Sequence, residues 1–117
     1  MRICYLNHDL KENTGAGRFC LSLITEVKKI FPNTDITVLT LESSGHDLER
    51  PVIRSGVFGL LQSIFKVRKV IKTSDLVHAL DGWPYGFLAA AGSWGLKKRV
   101  IITAIGSGAQ SMAALVD

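Results

Sequence analysis

The sequence predicts an open, doubly wound α/β sheet, and three observations carry that expectation. Short, mostly apolar runs recur at 3–6, 76–80 and 100–105, the pattern of strands covered on both faces of a parallel sheet. Between them lie segments whose apolar residues repeat every three or four positions, the period of helices with one buried face. The 117 residues are 47% apolar and 21% charged, with mean hydropathy +0.25. That is enough for one packed domain, far from the composition of disordered chains and too short for two.

Residues 3–6 form the first and central strand. In the helix that follows, Ala16, Phe19, Cys20, Leu23, Ile24, Val27, Ile30 and Phe31 share one stripe, with Arg18, Ser22, Glu26 and Lys29 opposite. Pro32 and Asn33 stop it, and Ile36, Val38, Leu39 and Leu41 with interleaved threonines make the second strand. Residues 42–49 read as a polar loop, and Pro51 opens a short edge strand over 51–54. A second helix over 56–73 places Val57, Leu60, Leu61, Ile64, Phe65 and Ile71 inside. Its cations Lys66, Arg68, Lys69 and Lys72 come late, where they complement the helix dipole. A strand over 76–80, interrupted by His78, leads to a small-residue helix over 85–94 and a fifth strand over 100–105. Residues 111–117 begin another helix-like stretch and stop without a Gly or Pro terminator. The expectation is a single, incomplete, Rossmann-like domain of about five mainly parallel strands, the N-terminal part of something longer.

Composition excludes several classes. The formal charge of +4 is a small excess beside that of dedicated nucleic-acid binders, and no nucleic-acid partner is expected. Lysines and arginines at 66–72 and 97–99 read as a solvated surface, with contact to an anionic membrane or polyanion as the alternative. Cys4 and Cys20 lie in apolar segments without the spacing of a disulfide framework or zinc site, which fits a reducing, cytoplasmic compartment. No secretory signal is evident, and no apolar run nears the roughly 20 residues of a membrane span. Three histidines, at 8, 46 and 78, form no arguable metal set or catalytic triad, so no metal is expected.

Ligands of such sheets bind beyond the carboxyl ends of the strands, and three segments there carry candidate chemistry. The segment from His8 to Arg18 ends in Thr14-Gly15-Ala16-Gly17-Arg18 at the start of the first helix, where unpaired amides and absent side chains suit a phosphate or polyhydroxyl ligand and Arg18 adds charge. It is a poor dinucleotide fingerprint, because Cys20 stands where Gly or Ala is needed. The competing structural role is a loop whose glycines let the helix pack near its strand. His78 to Gly86 combines Asp81, Trp83 and Tyr85, a carboxylate with aromatic faces of the kind that bind a sugar ring. Against this, a histidine inside an apolar strand is ordinarily a satisfied core group, and Asp81 also suits a helix cap. Gly106-Ser107-Gly108 forms either an anion-binding nest or a simple turn.

In order and position these segments resemble the start of a group 1, nucleotide-sugar-dependent glycosyltransferase of the GT-B fold. The resemblance rests on residues 1–7, Gly15-Ala16-Gly17-Arg18, Asp75-Leu76-Val77-His78-Ala79 followed by Asp81-Gly82-Trp83-Pro84-Tyr85-Gly86, and Thr103-Ala104-Ile105-Gly106. It implies transfer of a sugar from a nucleotide diphosphate to a hydroxyl acceptor, usually with retention, without metal or cofactor. Gly15, Ala16, Gly17 and Arg18 would then face the donor diphosphate, and His78, Asp81, Trp83, Tyr85, Gly106 and Ser107 the acceptor side. Most donor contacts would belong to a C-terminal domain absent from these residues, leaving this portion inactive alone. Partners implied are the nucleotide-sugar donor and a sugar or lipid-linked acceptor; a peripheral contact at the inner face of the membrane and a homodimer are admitted. Leu80 and Ile105 stand where many relatives carry functional histidines. The alternative from another class is a non-catalytic, flavodoxin-like binding or dimerisation module.

Overall fold

The computed structural model describes residues 1–105 and 111–116. Among them, strands β1 (Arg2–Asn7), β2 (Asp35–Thr40), β3 (Glu49–Arg50), β4 (Leu76–Ala79), β5 (Arg99–Ile105) and β6 (Ser111–Val116) form one sheet in the order β3-β2-β1-β4-β5-β6. The first five strands run parallel, and β6 returns antiparallel to β5. Helices α1 (Gly15–Ile30), α2 (Val57–Lys72) and α3 (Phe87–Gly92) cover it. The chain winds outward from β1 through β2 to β3, then returns over the sheet in α2 to place β4 on the other side of β1. That reversal makes the doubly wound α/β arrangement, with its switch point between β1 and β4.

The pleat sorts β1 between two cores. Cys4 and Leu6 join Leu39, Val77, Ala79 and the buried sides of α2 and α3, while Ile3 and Tyr5 join Ile36, Val38, Cys20 and Ile24 under α1. Both faces of the central strands are therefore dry, which is why they read as unbroken apolar runs rather than alternating ones.

Several expectations are corrected. Residues 111–116 form a strand, not a helix; a short apolar run does not distinguish the two by itself, and pairing along β5 decides it. The edge strand is Glu49–Arg50, ahead of Pro51, whose missing amide proton ends the ladder. The helix expected over 85–94 begins at Phe87, after a π-type turn over Gly82–Gly86 with a cis Trp83–Pro84 bond. On α2 the inward residues are Ser63, Val67 and Ile71, with Leu60, Ile64 and Val70 at the margins; Val57, Leu61 and Phe65 face outward. On α1, Phe19, Ile30 and Phe31 are likewise exposed, and Cys20 and Ile24 carry the buried stripe. No helix among the described residues is long and apolar enough to cross a membrane.

Candidate functional site

The switch point opens into a cleft of about 510 Å³ at the carboxyl ends of the strands. His8 enters it from the end of β1, Ala16 from the first turn of α1 and Leu41 from the end of β2. Ser55, Gly56 and Leu60 come from the start of α2, and Asp81, Trp83, Pro84 and Tyr85 from the loop after β4. The glycine-rich turn and the tryptophan-bearing loop, distant in sequence, thus meet at one rim.

The predicted residues that are described fall into different environments. Thr14 caps α1 by accepting the Gly17 amide at 3.0 Å, and the Arg18 amide donates to the Thr14 carbonyl. The Gly17 and Arg18 amides are therefore used within the chain. Gly17 is buried, and a Cβ there would come to 2.5 Å from both Asp9 Oδ1 and the Lys11 amide nitrogen. Its missing side chain serves packing, the structural role weighed against phosphate binding. Gly15 has open space around it, and Arg18 is exposed.

Asp81 caps its own turn, with Oδ1 accepting the Gly82 amide at 2.7 Å, and lines the cleft as well. Trp83 is largely exposed, its ring 5.4 Å from that of Phe87. Tyr85 is buried along its ring and reaches the cleft. Burial, then the charges of Asp81, Asp9 and Glu42, hold its hydroxyl firmly protonated and able to donate. His78 lies apart from the cleft lining, on the α1 side of β4. Its Nε2 meets Thr103 Oγ1 at 2.7 Å and its ring stands 5.5 Å from Tyr5, and burial lowers its pKa. It is a satisfied histidine of the sheet. Leu80 is buried in the α1-side core. Gly106 and Ser107 lie outside the described residues, as does the Ile105 side chain.

The group that sequence reading did not single out is His8, backed by Asp9. The Asp9 carboxylate is almost fully buried and accepts the Lys11 amide at 2.9 Å, the Thr14 hydroxyl at 2.6 Å and His8 Nδ1 at 2.9 Å. Burial would raise its pKa, but the bonds from His8, Thr14 and Lys11 outweigh that and hold it below its ordinary value. An ionised Asp9 on Nδ1 fixes the proton there and leaves Nε2 to face outward, 3.8 Å from Glu42 Oε2. Glu42 in turn sits 3.7 Å from Lys11 Nζ. Donor atoms of His8, Asp9 and Glu42 lie within 4.8 Å of one another. With both Asp9 oxygens engaged and Glu42 paired to a lysine, the set is organised around proton transfer and hydrogen bonding rather than around a cation.

The Asp9 carboxylate lies against the first turn of α1, so the helix N-terminus is partly answered by the chain's own charge. No family model matches the chain, and no curated protein or solved structure does either.

Proposed function

We propose that the chain is the acceptor-side portion of a nucleotide-sugar-dependent glycosyltransferase and that the switch-point cleft holds the hydroxyl-bearing acceptor. The observation that supports this reading is the meeting of Asp81, Trp83, Tyr85, Ala16 and His8 in one cleft. Trp83 offers an apolar face to a sugar ring, and Asp81 and the Tyr85 hydroxyl offer an acceptor and a donor beside it. His8 Nε2, oriented through Asp9, is suited to accept the proton that the attacking hydroxyl loses. This gives an imidazole to the cleft although Leu80 stands where relatives of this kind carry theirs.

On this reading the donor diphosphate approaches the open side of α1 at Gly15 and Ala16, with the Arg18 side chain in reach. The remaining phosphate and base contacts come from a second domain. Asp81 is the one carboxylate and no lysine or arginine lines the cleft, which favours a neutral sugar there over a diphosphate. The reading carries with it a cytoplasmic location.

Titration followed by amide NMR tests it. Free glucose and mannose, UDP-glucose and GDP-mannose are added to the chain in turn. Saturable shifts at Ala16 and at the amides of 81–86, with quenching of Trp83 fluorescence in a Trp94→Phe background, are expected. No response there to any of the four ligands overturns the reading. Self-association instead, followed by sedimentation, would favour the dimerisation module.

A further inference from the structure

The outward stripe of α2 has no role in the cleft chemistry. Val57, Phe58, Leu61 and Phe65 are 74%, 82%, 51% and 71% exposed, an unusual concentration of large apolar side chains on one helix. At 3.6 residues per turn, Phe58, Leu61, Phe65, Lys69 and Lys72 fall within an arc of about 80°. The first two turns of that arc are aromatic and aliphatic. The last two are cationic, with exposed Lys66 beside them. The helix contains no Asp or Glu. Its opposite face is fully committed to the core through Ser63, Val67 and Ile71.

The cationic end extends sideways. Arg68 Nη1 donates to the Gly92 and Trp94 carbonyls at 3.3 and 2.7 Å, tying the loop after α3 to the flank of α2. That loop carries Trp94, 81% exposed.

We propose that this stripe docks the chain on an anionic bilayer surface. Hydrocarbon just below the headgroups takes Phe58, Leu61 and Phe65, and the headgroup charge takes Lys66, Lys69 and Lys72, with Trp94 at the boundary. A bilayer supplies both chemistries along one helix length of about 24 Å. A second α2 supplies only the apolar half, because it brings no acid to answer the lysines. Gly56 and Leu60, in the same first turns but away from the stripe, line the cleft.

The proposal does not depend on what fills the cleft. Co-sedimentation with vesicles of phosphatidylcholine containing about one third phosphatidylglycerol, against phosphatidylcholine alone, reads it directly. Binding to the anionic vesicles only is expected, falling about fivefold for each of Lys66→Gln, Lys69→Gln and Lys72→Gln. Phe58→Ser with Phe65→Ser should lower it more than tenfold. These side chains are exposed, and an unchanged thermal midpoint shows that each variant is folded. Equal binding to both vesicle types, no binding to either, or a dimer that the Phe58→Ser/Phe65→Ser variant dissolves in the absence of vesicle binding each overturns the proposal. Sugar titration shifts remain a separate readout, so failure of one proposal does not mask the other.

Discussion

Asp9 is nearly inaccessible to solvent, yet its charge is tolerated because Lys11, Thr14 and His8 all donate to it. Replacing it by Asn removes the charge from these bonds and should cost about 1.5–3 kcal/mol at neutral pH, read by urea unfolding. A carboxylate held below its ordinary 3.8 contributes stability that is present above that value and is lost as pH falls through its folded-state pKa. The gap between wild type and Asp9→Asn should therefore close below about pH 3.8. His78 acts in a higher window. Its pKa is lowered from 6.5 by burial, so its contribution is complete above 6.5 and fades as pH falls below it. His78→Gln should flatten the thermal midpoint between that value and the Asp9 window. The glycines separate just as cleanly. Gly17→Ala must displace the Asp9–Lys11 turn and should cost about 1–3 kcal/mol or more. Gly15→Ala meets open space and should stabilise by about 0.4–1 kcal/mol.

At the scale of elements, the helices were located from period alone, but their buried arcs were not. On α2 two apolar arcs coexist, and summing them in sequence put Leu61 and Phe65 inside; the core took the arc with Ser63, Val67 and Ile71 instead. Ser63 shows why. Its hydroxyl accepts the Arg54 amide at 2.8 Å and donates to the Gly59 carbonyl at 2.7 Å, fastening the incoming loop to the helix. Gly92 lets α3 approach the same arc, where a Cβ would stand 3.0 Å from Val67 Cγ1. Ser63→Ala should leave the Arg54 amide unanswered and cost about 1–3 kcal/mol in chemical unfolding. On β1 and α1, burial pushes the thiols of Cys4 and Cys20 up to about 12. Both should resist iodoacetamide at pH 8 in the folded chain and react at once in denaturant.

For the whole molecule, charge is distributed unevenly over opposite tasks. Asp9, Glu42 and Asp81 gather at the cleft, and the lysines of α2 lie on the outward stripe. On the docking and acceptor readings proposed above, and with a Debye length of about 10 Å at 0.1 M salt, raising salt should release the chain from anionic vesicles while leaving the affinity for a neutral sugar unchanged. Titrations of both ligands from 0.05 to 0.5 M salt check this, the range being about a threefold change in that length. The doubly wound fold was legible in the sequence because burial on both sheet faces writes itself as unbroken apolar runs, and helix periods separate those runs. Ala16 meets Asp81, Trp83 and Tyr85 because β1 and β4 are adjacent and parallel, so the loops after them leave the same edge of the sheet. The His8–Asp9–Glu42 grouping was not legible. His8 and Glu42 become neighbours only through the parallel register that sets Asn7 beside Thr40, with the His8 carbonyl receiving the Leu41 and Glu42 amides. Sequence thus determined the central strands and the positions of the three helices, a matter of local period and apolar content. Tertiary structure alone decided which arc of α2 is wet, whether 111–116 pairs as a strand, and which carboxylate backs the cleft histidine, because each depends on a neighbour supplied by a distant part of the chain.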